Sequence, residues 1–535
     1  MTDTAHETKW NSESADQPGR DGVPPLGLVA LIIFLLLCGY GFLVTQGIPQ
    51  YWTERAIEVP TVGHHAEAEP QHPPLFMVAP FVLLLLSIAF LPLIPATAHW
   101  WESNLHKFYV AAGLGLVTLL YYGFFSHFTL VGHWPGHYEV TADKTAFEKI
   151  SVIFMNAIVA DFVPFIILLF SLFTITGGIR IEGNLKANPL TNAVILLIGA
   201  VLASFIGTTG AAMLLIRLLL ETNRLRKYKV HTIVFFIFCV CNCGGCLTPL
   251  GDPPLFLGYL KGVAFEWTFN LWKEWAFVNG TLIGLYFLWD TVWYYPKESK
   301  EDRVPDNANR SGLKISGLAL NLPLLLGVGA TVAFLAPTVR FMGTDWHPWY
   351  FLREAIQLGL CAVSLVFGCR KIRLANAFNF APIKEVAAVF FGIFICMSVL
   401  GQILNVESGN IVAFAEAKTG LEKPVLFFWS TGALSSVLDN APTYVVFFET
   451  AKSLPQDEGV MVPVGNGFIE FYLLVAVSLG SVFMGAMTYI GNGPNFMVKA
   501  MAEQSGVKMP SFFGYMVYSC LILLPLFTIM TWLFS

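Results

Sequence analysis

Charge is scarce in this chain of 535 residues: Asp, Glu, Lys and Arg make up 13% of it, whereas 55% is hydrophobic. This balance excludes an ordinary soluble domain and predicts a polytopic protein of the lipid bilayer. A net charge of −5 and the lack of a basic tail give no reason to expect a nucleic-acid partner. The nine cysteines lie almost wholly in apolar segments, so we interpret them as small buried residues rather than disulfides.

Residues 1–25 are polar and rich in Ser and Asp, which predicts a disordered cytoplasmic tail. No convincing small-residue cleavage site follows, so the sequence does not predict a signal peptide. Beyond the tail, apolar runs long enough to cross a bilayer predict about eleven transmembrane helices. These runs lie at about 26–46, 75–94, 108–126, 150–176, 231–260, 275–295, 316–338, 351–369, 383–404, 468–500 and 512–534.

Two further apolar stretches, about 190–221 and 424–450, carry a polar interruption in the middle. Each is either one long kinked helix or a re-entrant hairpin whose tip is the interruption. If both are hairpins, most of the 31 Lys and Arg residues fall on the side of the membrane that holds the N-terminus. Because cytoplasmic loops carry an excess of Lys and Arg, we predict hairpins, in a multi-pass protein of the inner (plasma) membrane with a cytoplasmic N-terminus.

The segment Asn242–Leu255 interrupts another apolar run, and an α-helix cannot continue through it. Pro249, Pro253 and Pro254 each remove a backbone N–H donor. Asp252 lies within the interruption, where an ionisable group is costly and usually functional. Because irregular backbone at this depth must be buried in protein or line a watery cavity, the pattern is typical of an ion or substrate site in a transporter.

The same pattern occurs a second time, 240 residues later. Gly245–Leu255 aligns without gaps with Gly485–Asn495, so that Asp252 corresponds to Asn492. The two interrupted stretches align with each other at an offset of 232, and the spans that precede them align at 224. Because the opening spans of the two units run in opposite directions, we predict an inverted repeat.

The chain is therefore predicted to be an all-α polytopic membrane protein with two re-entrant hairpins and two broken helices in an inverted repeat. Its predicted parts are the tail at 1–25, N-terminal scaffold helices at 26–149, a first repeat unit at 150–295 with a hairpin at about 190–221 and a broken helix at 231–260, a cytoplasmic loop and scaffold helices at 296–382, and a second unit at 383–534 with a hairpin at about 424–450 and a broken helix at 468–500. Such repeats bring hairpin tips and helix breaks together near the bilayer midplane.

The four converging interruptions predict a binding site for a small ion, built from carboxylates, amides, hydroxyls and backbone carbonyls. The four interruptions contain no Lys or Arg, so the predicted site suits a cation. A proton and a cation that compete for one carboxylate would couple their movements. The predicted ion- or substrate-binding residues are Asp439, Asp252, Asn440, Thr443, Thr208, Thr209, Thr248, Thr488, Asn492 and Asn495.

Simpler structural interpretations stay open for several residues. Asp252 could cap a helix and Asp439 a hairpin tip, although we expect Asp439 to contribute most to coupling. Asp161 and Glu385 could relay protons or could be charges near the ends of spans. Arg217 could neutralise a carboxylate or extend back to the inner face. A metal site would need four converging thiolates. The cysteines concerned are Cys239, Cys241, Cys243 and Cys246.

Two motifs carry a family resemblance: Gly-Gly-x-Leu-Thr-Pro-Leu-Gly-Asp-Pro-Pro at Gly244–Pro254, and Leu-Asp-Asn-Ala-Pro-Thr at Leu438–Thr443. The chain resembles the ion transporter superfamily over about 75–534. That superfamily includes NhaD-type sodium/proton antiporters, arsenite permeases and carriers of citrate or dicarboxylates, and the chain looks most similar to its citrate-transporter and antiporter branch. The resemblance implies a homodimer with a scaffold domain and an elevator-like transport domain.

At the hairpin tips the chain departs from the dicarboxylate carriers, which typically carry Ser-Asn-Thr where this chain has Gly207-Thr-Thr and Asp439-Asn-Ala. We therefore predict a secondary transporter, not an enzyme, that exchanges sodium for protons and needs no cofactor. The alternative is a carrier of citrate or another di- or tricarboxylate, free or bound to a metal and coupled to protons or sodium. A membrane metal or redox protein and an oxyanion exporter are further alternatives.

Overall fold

The computed structural model describes residues 26–57, 72–92, 94–183, 185–299, 312–337, 340–455, 459–465 and 467–534. The predicted tail at 1–25 lies outside these residues. The described chain is predominantly helical, which confirms the predicted all-α class. Short antiparallel ribbons also occur, and they pair Leu130–Gly132 with Tyr138–Val140, Arg180–Glu182 with Lys314–Ser316, and Met461–Val464 with Gly467–Glu470.

The α-helices follow one another closely along the chain. As far as the first repeat unit they are Leu26–Thr45, Ile48–Ile57, Ala79–Phe90, Pro95–Trp101, Asn104–Phe125, Ala146–Phe154, Val163–Thr176, Pro189–Ile206, Thr208–Thr222, Val230–Val240, Pro253–Leu260 and Trp272–Trp289. The later ones are Leu318–Phe334, Leu352–Phe367, Arg370–Ala375, Ala381–Thr419, Lys423–Ser435, Asn440–Lys452, Phe471–Phe483, Gly493–Gln504 and Phe512–Phe534. Two π-helical stretches lie at Met155–Phe162 and Asp290–Tyr294.

Six helical segments in the described chain are long and apolar enough to cross a membrane, and a bent pair at 75–101 would make a seventh. The six are Leu26–Thr45, Asn104–Phe125, Ala146–Thr176, Pro189–Ile206, Ala381–Leu404 and Phe512–Phe534. The predicted spans at 231–260 and 468–500 fall short of this length because each one is interrupted. The chain is therefore a multi-pass membrane protein, and the number of eleven spans stays a prediction.

Both polar-interrupted stretches fold back on themselves. In the first hairpin, Pro189–Ile206 and Thr208–Thr222 meet at Gly207, whose φ of 84° suits glycine. The side chains of Asn192 and Asn223, at the far ends of the two arms, exchange hydrogen bonds of 2.9 and 2.8 Å. The chain therefore turns back at Gly207 instead of continuing as one kinked helix.

The second hairpin consists of Lys423–Ser435 and Asn440–Lys452, joined by a turn at 436–439. The ring of Phe427, near the start of the first arm, lies 6.1 Å from that of Phe447, near the end of the second. The two arms are thus side by side, as in the first hairpin. Their insertion into the bilayer from opposite faces stays a prediction.

The two broken helices have one design. In the first, Val230–Val240 leads through a 3₁₀ turn at Cys243–Cys246 to Pro253–Leu260. In the second, Phe471–Phe483 leads through a 3₁₀ turn at 484–487 to a helix at 493–504. Every residue from His231 to Val240 is buried, so the first broken helix lies in the centre of the core.

One predicted boundary differs from the structure. The span expected at 383–404 is part of a single helix, Ala381–Thr419, that continues well beyond it. Residues 410–419 contain Ala, Glu and Lys, which favour helix, and they contain no Pro or Gly. The helix ends where Gly420 adopts a left-handed conformation with a φ of 66°. Hydropathy marks where a span leaves the apolar layer, whereas the helix itself ends at its glycine.

Candidate functional site

Asp252 is the centre of a polar cluster in the middle of the core. It precedes the helix Pro253–Leu260 and is 1% exposed. Its Oδ1 accepts hydrogen bonds from Thr208 Oγ1 at 2.9 Å and from Asn492 Nδ2 at 3.3 Å. Its Oδ2 accepts one from Asn440 Nδ2 at 2.8 Å. The three donors come from the first hairpin tip, the second helix break and the second hairpin tip, so all four predicted interruptions meet at this carboxylate.

Two glycines allow the hairpin tips to come this close to the breaks. A Cβ on Gly245 would lie 2.6 Å from Cγ2 of Thr208, and a Cβ on Gly485 would lie 2.3 Å from Oδ1 of Asn440. Both distances are far below van der Waals contact. Each break therefore needs a residue without a side chain at the point where it meets the polar residue of its own repeat unit's tip.

A chain of buried amides continues from Asp252 into the second break. Asn492 Nδ2 also lies 3.0 Å from the carbonyl of Cys241 and 3.2 Å from Oδ1 of Asn242. Asn242 Nδ2 donates to Oδ1 of Asn495 at 2.8 Å, and Asn495 Nδ2 donates to the carbonyl oxygens of Gly485 and residue 488, both at 2.9 Å. Sequence reasoning missed Asn242 as a site residue. The sequence feature that could have identified it is an isolated amide at the first position of the interruption.

The predicted ligands Thr248 and Thr488 have a structural role in the described geometry. The hydroxyl of Thr248 donates to the carbonyl of Ser204 and accepts the N–H of residue 250 at 3.1 Å. The hydroxyl of Thr488 donates to the carbonyl of Ser436 at 2.6 Å and accepts the N–H of Gly491 at 3.0 Å. Because both hydroxyls are engaged with backbone, these threonines fasten each break to its hairpin and are not directed at a ligand.

Asp439 occupies the N-cap position of Asn440–Lys452 and is half-buried. The hairpin directs its neighbour Asn440, and not Asp439, to Asp252. Thr443 donates its hydroxyl to the backbone carbonyl of Asp439 at 3.1 Å, and Thr209 is half-buried beside the Thr208 donor. The structure therefore places Asp439 beside the polar cluster, and its predicted leading role in coupling stays a prediction.

The hydrogen-bond partners of Asp252 in the described structure are all neutral. An ionised carboxylate buried without a counter-charge is costly, even when hydrogen bonds satisfy its oxygens. The cluster therefore favours the binding of a proton or a metal cation at Asp252. Amide and hydroxyl oxygens of the same cluster are hard ligands of the kind that alkali and alkaline-earth cations prefer.

The family described as "Putative citrate transport" matches residues 70–535, which include both hairpins, both breaks and Asp252. The chain belongs to this family. Among curated proteins the comparison finds no match. The predicted resemblance to the citrate-transport branch of the ion transporter superfamily is thus confirmed, and the protein is a transporter.

Asp161 and Glu385 of this citrate-transport family member lie outside the cluster around Asp252. Asp161 is half-buried in the π-helical stretch. Glu385 is half-exposed and pairs with Lys107, with Nζ and Oε1 2.5 Å apart. Neither acid reaches Asp252 through a described hydrogen bond. The ion pair of Glu385 therefore fits a charge near the end of a span better than a proton relay.

Arg217 extends towards a segment that the charge distribution predicts to lie on the inner face, as its second alternative expects. Its guanidinium donates to the carbonyl oxygens of Ala375 and Asn376 at 2.7 and 2.6 Å, so it binds the C-terminal end of the short helix Arg370–Ala375. In the described part of the chain, no group of three or more His, Cys, Asp or Glu side chains is placed to hold a metal ion. The cysteines predicted to be small packing residues, Cys239, Cys241, Cys243 and Cys246, are all fully buried.

Proposed function

We propose that this protein is a secondary transporter of citrate or another di- or tricarboxylate, coupled to a cation that binds at Asp252. The observation that carries the proposal is the family match over residues 70–535, together with one buried carboxylate on which both hairpin tips converge. The coupling cation in this proposal is a proton or sodium. The membrane is the inner (plasma) membrane, and the working unit is a homodimer.

The coupling follows from charge. An anionic substrate near an ionised Asp252 meets repulsion: two like charges about 4 Å apart repel by about 4 kcal/mol at an effective dielectric constant of about 20. That energy corresponds to roughly a thousandfold in affinity. A cation or proton on Asp252 removes the penalty, so the carboxylate substrate binds well only when the cation is present. A citrate–metal complex, which carries less net charge, would depend on the cation less steeply.

The substrate's own contacts would come from neutral donors at the tips. Asn440 Nδ2 has a second N–H besides the one that it donates to Asp252, and Thr209 adds a half-buried hydroxyl beside the cluster. Neutral donors can bind carboxylate oxygens without forming an ion pair that would hold the substrate too tightly for release. This supports a carrier, which must bind and release its substrate in every cycle.

A second function, sodium/proton antiport, has its own supporting observation. All hydrogen-bond partners of Asp252 in the described structure are neutral, which suits competition between sodium and a proton for one carboxylate. The two functions share the cation site and differ in whether a carboxylate moves with the cation.

Proteoliposomes with an internal pH dye separate the two functions. We expect radiolabelled citrate uptake to require a proton or sodium gradient, and sodium, lithium or potassium alone to move few protons. Sodium-driven proton movement in the absence of any carboxylate, without citrate uptake, would contradict the proposal and support antiport. Asp252→Asn liposomes are the matched control for leakage.

A further inference from the structure

A cavity of about 360 Å³ lies beside the first hairpin, away from the hydrogen bonds of Asp252. It is bordered by the second arm of that hairpin, the end of the helix Val163–Thr176 and the strand Arg180–Glu182. Its volume falls within the usual range of small-molecule sites. The side chains that matter here are Thr176, Arg180, Met213, Arg217 and Glu221.

Two guanidinium groups lie on one wall of this cavity. Arg217 donates to the carbonyls of Ala375 and Asn376, and Arg180 donates to the carbonyl of Ala375 as well. Arg180 also pairs with the carboxylate of Glu182, whereas no carboxylate lies within ion-pair distance of Arg217 in the described chain. Each guanidinium has five N–H donors, and two carbonyl bonds leave Arg217 with capacity for a further acceptor. Glu182 and Glu221 also border the cavity, and each has an arginine partner, so of the charged side chains in this lining only Arg217 has no described ion pair for an anion to replace.

Thr176 connects this cavity to the first hairpin. It is 2% exposed and borders the cavity, and its Oγ1 has no hydrogen-bond partner in the described structure. The same Oγ1 would lie 3.3 Å from a Cβ on Gly210, two residues after the Thr208 donor to Asp252. The Thr176 side of the cavity therefore packs against the first turn of the hairpin's second arm.

We propose that this cavity binds a small polycarboxylate, with Arg217 as its principal cation and Arg180 beside it. The identity of the ligand rests on the proposed function, since the positive wall alone indicates only an anion. Arginine suits this role because its planar fork binds carboxylates. The cavity lies beside Arg180–Glu182 and Asn376, segments that the charge distribution predicts to be cytoplasmic.

Site-specific labelling of the purified full-length chain in detergent tests the proposal locally. Met213→Cys places a thiol in the cavity wall, in a background in which the exposed Cys38 and Cys369 are replaced by Ser. We expect an anionic thiol reagent to react faster than a cationic one, and citrate to slow the reaction at least about fivefold relative to chloride of equal ionic strength. Arg217→Gln should remove both the charge preference and the protection by citrate.

Three controls sharpen the outcome. Arg370→Gln removes an exposed arginine from the same region and should leave both effects intact. Arg217→Lys keeps the charge but cannot bridge both carbonyls, so it should retain most of the protection; a loss equal to that of Arg217→Gln would mean that Arg217 only holds the helix end, and would overturn the proposal. Asp252→Asn should keep the protection, because the cavity is separate from that carboxylate.

Two further results would also overturn the proposal: citrate that slows labelling no more than chloride does, or Arg370→Gln that abolishes protection as fully as Arg217→Gln. If citrate protects Met213→Cys but proteoliposomes take up no citrate, the proposed function fails and the anion site stands. The two failures are therefore distinguishable.

Discussion

The two repeat units share their construction and differ in their chemistry. In the first, Thr248 fastens the break to the hairpin through the carbonyl of Ser204, and in the second Thr488 does so through the carbonyl of Ser436. In both, the same hydroxyl accepts a backbone N–H two or three residues later. Yet the residue that precedes the helix after each break is a buried carboxylate in one unit, Asp252, and an amide in the other.

The hydrogen bonds that both units share and the carboxylate that only one break carries therefore have different roles. The repeated bonds build a frame that brings two tips and two breaks together, and the frame works equally well from either unit. At the position before the helix that follows each break, the charge occurs once, and residues of the second unit, Asn440 and Asn492, bind it. A single buried charge can couple one cation to transport, whereas two carboxylates this close would repel each other and retain a shared proton.

The largest effect is expected from removing that charge. Asp252→Asn keeps the shape of the side chain but loses the group that binds the coupling cation, so we expect transport in proteoliposomes to fall at least about 100-fold. Asp439→Asn changes a half-buried residue outside the hydrogen bonds of Asp252, and from this position we expect a loss of about tenfold or less, in place of the leading role that the sequence alone suggested. Equal losses in the two variants would contradict the central place given to Asp252.

The next largest effect concerns the donors that correspond between the units. Asn440→Ala and Thr208→Val each remove one hydrogen bond to the carboxylate of Asp252. Bonds to a charged group contribute about 1.5–3 kcal/mol, and here they stabilise the ionised carboxylate, so the loss of one should raise its affinity for a proton roughly 10- to 100-fold in each variant. The concentration of sodium or protons that half-saturates uptake is the measurement, and an unchanged value in both variants would exclude direct support of the cation site.

A smaller, matched pair of effects tests the glycines. Gly245→Ala and Gly485→Ala insert a methyl group against Thr208 and Asn440, respectively. Overpacking of this kind costs about 1–3 kcal/mol, and we expect lower thermal stability in both variants. Gly401→Ala, where nothing lies within 4 Å of the added carbon, is the control. A glycine variant as stable as this control would show that the hairpin tip shifts at little cost to make room for the methyl group.

The smallest effect is expected at the fastening threonines. Thr248→Val and Thr488→Val keep the volume but leave a buried carbonyl and N–H without a partner, at a cost of about 1–3 kcal/mol. Because the two bonds correspond, the losses of unfolding free energy should agree within about 1 kcal/mol. A large loss in one unit alone would disprove the structural equivalence of the two frames.

The sequence predicts the frame well because repetition reveals it. Four residues of Gly245–Leu255 recur in Gly485–Asn495, two glycines, one threonine and one proline, and each type has a backbone consequence that holds in any surrounding. Asn242 escaped prediction for the opposite reason: its counterpart, 240 positions later, is Val482, and only the folded chain shows that Asn492 and Asn495 bond to it.

The hairpin tip shows a finer limit. Asp439 and Asn440 are adjacent and both polar, so the sequence could not tell which of them faces the centre, and charge argued for Asp439. Asn440 is directed inward because the helical arm begins at this residue. The hydroxyl of Ser435 donates a hydrogen bond of 2.7 Å to its Oδ1 and so fixes the side chain. Likewise, the partners of Arg217 are backbone carbonyls, which have no signature in sequence.

Moving the carboxylate from one unit to the other tests the account most directly. The double variant Asp252→Asn with Asn492→Asp keeps the number of charges and transfers the carboxylate to the corresponding position, where the amide now donates to the carbonyl of Cys241. A carboxylate there would face that carbonyl instead of a donor. We expect citrate uptake and coupled proton movement in proteoliposomes to stay as low as in Asp252→Asn alone. Recovery of coupled uptake in the double variant would contradict the claim that transport depends on a carboxylate at Asp252 itself.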